Sequence, residues 1–257
     1  MAEDGGTGRT MLDWEKLKTS CRKRVRTVYN ACVRRPPAGF VATDLPELNA
    51  VKERALARTS MNEHLETIFL EALTMQPLLI VELGVGGGES NFALQRAARL
   101  TGARLVSVDL NDRAHVSQEP GWLFVQRDDI AFAAEFPDWC RRQGFEPVID
   151  VLFIDTSHLF EHTLQEMQAY FPYLAPRAKV MFHDTNLSKV FYRQDGSMDL
   201  GWDNERGVIR ALEVYFKKSF NEKKPFTDFV RPWLIRHNPH CAGMTILERL
   251  PFLAQPR

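Results

Sequence analysis

The stretch Leu78-Leu79-Ile80-Val81-Glu82-Leu83-Gly84-Val85-Gly86-Gly87-Gly88-Glu89-Ser90 decides the fold of this chain. An apolar, β-branched run ends there in a carboxylate and a glycine-rich turn. A helix-like segment, 91–100, follows, and a second apolar run, Leu105-Val106-Ser107-Val108-Asp109, ends in another carboxylate. This order predicts a strand, a helix and a second, parallel strand, with a nucleoside held at the carboxyl ends of the strands.

The spacing of the acid and the glycines indicates which kind of nucleoside would bind. Glu82 precedes Gly84, Gly86 and Gly88, each two residues apart. A carboxylate there would repel the pyrophosphate of a dinucleotide, whereas it suits a ligand that carries an ammonium and a sulfonium. Glycines let the backbone approach the ligand, and Asp109 can accept hydrogen bonds from both ribose hydroxyls. An NAD site and a purely structural turn are the alternatives.

Strand-like and helix-like segments alternate beyond this unit. Strands are expected at 78–83, 104–109, 122–126, 148–154 and 179–183, and helices at 62–76, 89–100, 130–143 and 160–172. Such alternation predicts an α/β fold, a doubly wound, Rossmann-like parallel sheet with helices on both faces.

The carboxyl-terminal part is predicted to complete this sheet. A helix is expected at 206–220, followed by two antiparallel strands at 229–236 and 243–248. The polar stretch 185–204 is too long for an ordinary connection, so we predict a lid or substrate loop inserted after the fifth strand.

Residues that could bind a metal or accept a proton follow the fourth and fifth strands. Asp155 follows the fourth strand directly, and His158 comes three residues later. The fifth strand runs into His183 and Asp184. Neighbouring strands of a doubly wound sheet deliver their last residues into one crevice. Two carboxylates with an imidazole or water can hold a divalent cation. Oxygen ligands favour Mg²⁺, Ca²⁺ or Mn²⁺, whereas a histidine ligand favours Mn²⁺, Fe²⁺ or Zn²⁺.

Each of these residues also has a plain structural explanation. His158 could be a histidine of the turn, without chemistry. Asp155 and Asp184 could cap the ends of their strands.

The glycine-rich unit resembles that of the class I S-adenosylmethionine-dependent methyltransferases. Glu82 and the three glycines are similar to their motif I, and Asp109 is similar to their ribose-binding acid. Asp128 stands where members of the class place an acid near the adenine amino group, although capping of the next helix is an alternative. The resemblance implies that S-adenosylmethionine would be held by Glu82, Gly84, Gly86, Gly88, Ser90, Asp109, Asp128 and Asp155.

The second group resembles one branch of that class, the metal-dependent O-methyltransferases of natural-product pathways. This branch includes antibiotic sugar O-methyltransferases, deoxysugar methyltransferases of the calicheamicin type and cephalosporin-hydroxylase-like proteins. Asp155, His158 and Asp184 match its pattern, whereas His183 stands where the branch commonly has Glu. The resemblance covers roughly residues 60–190.

The branch implies a reaction and a role for each residue. A methyl group would pass to a hydroxyl of a small molecule, with a sugar of a glycosylated natural product as the expected acceptor. A divalent metal, Mg²⁺ or else Mn²⁺, would be held by Asp155, His183 and Asp184. His158 would act as general base, and Asp155 would be the second catalytic residue.

Composition restricts the partners and the compartment. The chain has 257 residues, with 33 Lys+Arg and 33 Asp+Glu, so its formal net charge is zero. This balance gives no support for a nucleic-acid or membrane partner, and no apolar run reaches membrane-spanning length. The four cysteines lack metal-site spacing, and the first residues lack the apolar core of a signal peptide, so a cytoplasmic protein with reduced thiols is predicted.

The amino-terminal part leaves alternatives open. Residues 1–60 are predicted to form a helical extension, and 61–257 the methyltransferase domain. Within the extension, 1–10 is predicted to be disordered and 12–33 to be an amphipathic helix with a basic face. Its expected role is packing against the core or a second subunit in a homo-oligomer. An RNA-binding arm, and with it an RNA methyltransferase, is one alternative, and a non-catalytic S-adenosylmethionine-binding protein is another.

Overall fold

The computed structural model describes residues 8–33 and 39–251, with side chains described from residue 18 onward. Residues 1–10 are predicted to be disordered. Of these, residues 1–7 lie outside the described range, and residues 8–10 are helical. The side chains of Trp14 and Leu17, which belong to the predicted apolar face, lie outside the described residues. The same holds for Arg34 and Arg35 of the predicted basic face.

The described part of the chain consists of helices and strands in alternation. The helices are α1 Gly8–Val33, α2 Pro46–Arg54, α3 Leu65–Met75, α4 Glu89–Thr101, α5 Asp129–Arg142, α6 Phe160–Tyr170 and α7 Gly207–Phe216. The strands are β1 Leu79–Leu83, β2 Arg104–Asp109, β3 Trp122–Gln126, β4 Ile149–Ile154, β5 Leu174–His183, β6 Val190–Tyr192, β7 Met198–Leu200, β8 Phe226–Val230, β9 Trp233–Asn238 and β10 Met244–Arg249.

Eight of these strands form one twisted sheet in the order β3-β2-β1-β4-β5-β10-β9-β8. β1 to β5 run parallel, and the last three strands are antiparallel. From β1 the chain winds outward to β3 and then returns to β4 on the other side of β1. Ligands of such sheets bind at this reversal, beyond the carboxyl ends of the central strands, and the predicted doubly wound fold is therefore confirmed.

The central strands β1, β4 and β5 are buried on both faces of the sheet for most of their length, and they are apolar on both sides. On one face, alternate β1 residues such as Val81 pack with α5, α6 and α7, in a cluster that includes Phe136 and Tyr170. On the other face, Ile80 packs with α3 and α4, in a cluster that includes Phe69 and Leu94. The α4 face also receives Glu82, which follows from its place in the strand alternation.

The end of the sheet differs from the prediction. The sequence predicts two strands, at 229–236 and 243–248, whereas the structure has three. Pro232 lies inside the first predicted strand and has no backbone N–H to donate to a ladder. The chain therefore turns there, and β8 and β9 pair with each other as separate antiparallel strands.

Two further elements were not predicted at their observed bounds. α2 begins with Pro46, has Glu47 in its first turn and basic residues in its last; these are ordinary helix signals that the sequence carries. β5 begins at Leu174 and not at residue 179, because a register shift lets Leu174 pair with Ile149.

The polar stretch after β5, predicted to be a lid, contains the hairpin of β6 and β7. Buried Arg193 anchors this hairpin: its guanidinium donates to the Thr59 carbonyl oxygen at 3.0 Å, to Asp199 Oδ2 at 3.0 Å and to Asn62 Oδ1 at 3.3 Å. Arg26 of α1 donates to Asp199 Oδ1 at 2.6 Å. The hairpin is thus tied to α1 and to the segment before α3, and its opening as a lid stays a prediction.

α1 is largely exposed along its described side chains. Val25 and Val28, on its predicted apolar face, are 56% and 65% exposed. It contacts the β6–β7 hairpin through Arg26, as described above, and through Asn30, which hydrogen-bonds both backbone polar atoms of Met198 at 2.8 and 2.9 Å. Among the described side chains of α1, packing of the apolar face on the core of the same chain is not found, and the homo-oligomer and the domain boundary at 60/61 stay predictions.

Among the described residues, no helix is long and apolar enough to cross a membrane. The four cysteines are free, Cys21 and Cys32 exposed and Cys140 and Cys241 buried.

The loop after β1 is pressed against the end of β4. Gly84 has φ +83°, and a Cβ atom there would lie 2.1 Å from the carbonyl oxygen of Asp155. Gly84 N donates to the Val108 carbonyl at 2.9 Å, and Asp155 N donates to the Leu83 carbonyl at 2.9 Å. Only glycine satisfies both the backbone conformation and the contact.

We therefore expect Gly84→Ala to destabilise the protein. The left-handed backbone and the collision with the Asp155 carbonyl should together lower the free energy of unfolding by about 2 kcal/mol or more, and the melting temperature by roughly 4–8 °C. Thermal unfolding followed by circular dichroism measures this change.

Gly87→Ala is the matched control. Its Cβ atom would have no neighbour within 4 Å, and its φ is not in the left-handed region. If the melting temperature of Gly84→Ala equals those of Gly87→Ala and the parent chain, the result would contradict the proposed contact.

Candidate active site

The glycines of the loop have different structural roles. Gly84 allows the close approach to β4 described above. Gly86 has φ +50° with open space where its Cβ atom would be, and it lines the cleft at the carboxyl ends of the strands. Gly88 begins α4 with φ +83°, and a Cβ atom there would lie 2.5 Å from Val116 Cγ1. Of the three, Gly84 and Gly86 reach the cleft wall.

Asp109, at the end of β2, faces the same loop. Its Oδ2 accepts hydrogen bonds from the backbone N–H groups of Val85 and Gly86 at 3.0 and 3.2 Å, and its Oδ1 accepts one from Asn111 N at 2.8 Å. Burial alone would raise the pKa of this carboxyl, but these backbone donors and Arg113 outweigh burial and lower it. Asp109 is therefore an ionised acceptor on the cleft wall.

Glu82 lies behind the loop and not on the cleft wall. It is fully buried. Its carboxylate accepts hydrogen bonds from Ser90 Oγ at 2.7 Å, Asn91 Nδ2 at 2.6 Å and Ser107 Oγ at 2.6 Å. Ser90 is likewise buried and donates inward. The predicted cofactor residues Glu82 and Ser90 thus join β1, β2 and α4 beneath the glycines.

The cleft has a volume of about 360 Å³. It extends from the glycine loop past Asp109 to the start of α5, and its lining residues are Gly84, Gly86, Val108, Asp109, Leu110, Asn111, Arg113, Arg127, Asp128, Asp129, Asp155, Thr156, Ser157 and His162. Asp128 lines the cleft and also caps α5, since its Oδ1 accepts from Ala131 N at 2.9 Å. The two roles considered for Asp128 are compatible in one geometry.

Asp155, His158, His183 and Asp184 converge beside the cleft. His158 Nδ1 lies 3.7 Å from Asp155 Oδ1, and His158 Nε2 lies 3.3 Å from Asp184 Oδ2. One ligand atom from each of Asp155, His158 and Asp184 lies within 4.8 Å of the others. The convergence expected for neighbouring strands is present.

His183 is the most deeply buried member of this group. Its Nδ1 lies 3.2 Å from Asp155 Oδ1 and 3.0 Å from Asp184 Oδ1. Burial alone would lower the pKa of the imidazole, but the charges of Asp184 and Asp155 outweigh burial and raise the pKa well above its ordinary value. His183 thus lies between two carboxylates, where the resembling branch commonly has a third carboxylate.

The donor set fits a divalent cation. Asp184 Oδ1 is buried and has no hydrogen-bond partner among the described residues, and its nearest charged neighbour is His183 Nδ1 at 3.0 Å. Buried carboxylate oxygens are normally paired or coordinate a metal. The carboxylates of Asp155 and Asp184, together with one histidine imidazole, suit Mn²⁺, Fe²⁺ or Zn²⁺. They suit Mg²⁺ when water completes the coordination shell.

The backbone at this cluster is strained. His158 and Asp184 have φ +58° and +57°, a conformation that costs a non-glycine residue about 1–3 kcal/mol. Asn204 supports both turns, because its Nδ2 lies 3.4 Å from the carbonyl oxygens of His158 and Asp184. Sequence reasoning missed this role of Asn204, because the residue comes from the stretch predicted as a loop.

A second cluster was also missed. Asp129, His162 and Glu166 place one ligand atom each within 4.8 Å of the others. The signal in the sequence is the spacing of His162 and Glu166, which are four residues apart and therefore share one face of a predicted helix.

A family described as a methyltransferase domain matches residues 81–185. This segment contains the glycine loop with Asp109, and it also contains the cluster of Asp155, His158, His183 and Asp184. No curated protein matches the chain.

Solved structures resemble the chain at low sequence identity. The SAH-bound methyltransferase PaMTH1 of Podospora anserina has a TM-score of 0.53 and 11% identity, over 97% of this chain and 100% of that one. A candidate O-methyltransferase of Klebsiella pneumoniae has a TM-score of 0.51 and 14% identity, over 87% and 96%. At such identities the similarity shows the fold.

MycE methyltransferase of the mycinamycin biosynthetic pathway, solved with Mg, SAH and mycinamycin VI, has a TM-score of 0.49 and 17% identity over 81% of this chain. The chain spans 56% of the length of MycE in that comparison and 40% in another crystal form. Residues 81–185 thus match a methyltransferase-domain family, and the chain has the fold of solved methyltransferases. The matched segment runs from β1 to just beyond β5.

We expect ionisation of Glu82 to lower stability in a defined pH range. Burial is the main cause that raises its pKa from 4.5 to about 7. Between these values the unfolded chain releases a proton that the folded chain keeps, so the free energy of unfolding should fall as pH rises from 4.5 to about 7, by roughly 3 kcal/mol. Chemical denaturation at several pH values measures this slope.

Glu82→Gln is the matched variant because it cannot ionise. Its free energy of unfolding should lack this part of the pH dependence, whatever its absolute stability. Parallel pH profiles of the variant and the parent chain would contradict the prediction.

Proposed function

We propose that the protein is an S-adenosylmethionine-dependent O-methyltransferase that acts on a hydroxyl of a small molecule, with a sugar of a glycosylated natural product as the expected acceptor. The observation that carries this assignment is the position of Asp155. It lines the same cleft as Asp109 and also belongs to the cluster with His158 and Asp184. A methyl donor in the cleft and an acceptor at the cluster would therefore meet at one residue.

The cleft offers suitable groups for the methyl donor. Ionised Asp109 would accept hydrogen bonds from the ribose hydroxyls, and the open backbone at Gly86 would let the ligand approach. Asp128 would lie at the adenine end. Glu82 and Ser90 would act from behind, by holding the loop that contacts the methionine portion.

Asp155, His183 and Asp184 would hold the divalent metal, with His158 as the base. A bound cation would lower the pKa of the acceptor hydroxyl and fix its direction. The acceptor oxygen would attack the methyl carbon in line, so that the carbon–oxygen bond forms as the carbon–sulfur bond breaks. His158 would take the hydroxyl proton on a ring nitrogen, since a histidine accepts protons near neutral pH.

The surroundings of His158 favour a ring-shaped acceptor. Trp202 is 45% exposed, and its ring centroid lies 6.0 Å from that of His158. An exposed aromatic face beside a proton acceptor offers an apolar surface to one side of a sugar and a polar group to its hydroxyls.

Calorimetric titration with S-adenosylmethionine tests the donor site, first in chelator and then with Mg²⁺ or Mn²⁺. We expect binding by the parent chain, and binding weakened about 10- to 100-fold in Asp109→Ala, because hydrogen bonds to a charged acceptor are lost. Asp112→Ala, on the same loop but outside the cleft lining, should bind as the parent does. Absence of binding in both conditions would contradict the assignment, and NAD would be the next ligand to titrate.

His158→Ala separates binding from chemistry. We expect unchanged affinity for S-adenosylmethionine and a loss of turnover of about 10²–10⁴-fold on any glycoside that the parent chain methylates. His115→Ala, an exposed histidine, is the control. Near-normal turnover would exclude the base role, and loss of metal binding in His158→Ala would show that this ring is a ligand.

A further inference from the structure

A second group of metal-ligand side chains lies outside the cluster of Asp155 and Asp184. Asp129 is the first residue of α5, and His162 and Glu166 lie one turn apart on α6. His162 Nε2 is 2.9 Å from Asp129 Oδ2 and 3.7 Å from Glu166 Oε1. These residues have no role in the function proposed above.

The distances suit a common central ion. A divalent transition metal binds imidazole nitrogen and carboxylate oxygen at about 2.0–2.2 Å, so adjacent ligand atoms of one ion lie roughly 3.0–3.5 Å apart. The two contacts of His162 Nε2 lie close to that range. Two carboxylates with one imidazole form a donor set that favours Zn²⁺ or Mn²⁺ over Ca²⁺.

Glu166 gives an independent indication of a ligand site. Its side chain is fully buried, and Oε1 accepts a hydrogen bond from Thr156 Oγ1 at 2.7 Å. Oε2 is buried without a partner among the described residues.

The cluster is open to an ion from solution. Asp129 and His162 line the cleft, and the His162 side chain is 26% exposed. Glu166 forms the inner wall behind them. The arrangement is a buried carboxylate with two further ligands at the mouth.

We propose that Asp129, His162 and Glu166 form a second divalent-cation site, selective for a transition metal such as Zn²⁺. The bound ion would neutralise Glu166 and join the start of α5, which carries Asp128 at the cleft wall, to α6. The site is distinct in its residues from the cluster of Asp155, His183 and Asp184, and it does not depend on the identity of the methyl acceptor.

Equilibrium dialysis of the untagged full chain against Zn²⁺, after treatment with chelator, tests the site. We expect His162→Ala and Glu166→Gln each to lower the affinity of one Zn²⁺ by at least tenfold. Asp184→Asn should keep this ion, because it alters only the other cluster. Glu161→Gln, an exposed acid on the same helix, is the control and should bind as the parent chain does.

Thermal unfolding supplies the second measurement. Zn²⁺ should raise the melting temperature of the parent chain and of Asp184→Asn, and this rise should be smaller in His162→Ala than in the parent chain. The His162 ring is at the surface, so its removal should leave the fold intact. Equal Zn²⁺ binding by His162→Ala, Glu166→Gln and the parent chain would overturn the site. So would the loss of all bound Zn²⁺ in Asp184→Asn alone.

Discussion

The close contact between Gly84 and the carbonyl oxygen of Asp155 is the constraint on which the rest of the site depends. A Cβ atom at Gly84 would lie 2.1 Å from that oxygen. The loop after β1 can therefore lie this close to the turn after β4 only with glycine at position 84. This contact lies at the reversal of the sheet, where ligands bind in folds of this kind. Because the two chain segments touch there, the group of Asp109 and the group of Asp155 face one cleft.

The Glu82 carboxylate maintains the other side of this loop. Hydrogen bonds to a charged acceptor each contribute about 1.5–3 kcal/mol, whereas removing a carboxylate from water costs several kcal/mol. The raised pKa of Glu82 shows that burial outweighs its three donors. Glu82 therefore fixes the position of the loop but lowers the free energy of unfolding, as is typical of residues at functional sites.

The parts of the fold that rest on local pattern could be predicted from the sequence. The alternation of apolar strands with helices indicated β1 to β5, and their common direction followed from the helical connections. The two groups of site residues could be located because parallel strands end at one edge of the sheet. What could not be predicted depends on side-chain direction or on contacts distant in sequence.

Glu82 illustrates the first limit and Arg193 the second. The acid-glycine pattern does not reveal that Glu82 points under the loop towards Ser107 and not into the cleft. Nor does any local pattern pair Arg193 with Thr59, which precedes it by 134 residues. The division of the predicted strand 229–236 at Pro232 is different in kind, because the sequence itself shows a proline there, which has no backbone N–H to donate.

One short segment supplies residues to both clusters that we propose to bind a metal. Asp155 and His158 belong to the first cluster, and His162 and Glu166 belong to the second, all within the turn after β4 and the first turns of α6. Thr156 links the two, since it follows Asp155 and donates to Glu166. A change in this segment can therefore move both clusters at once. The ligands that come from other elements, Asp184 from the end of β5 and Asp129 from α5, are the positions at which the two can be separated.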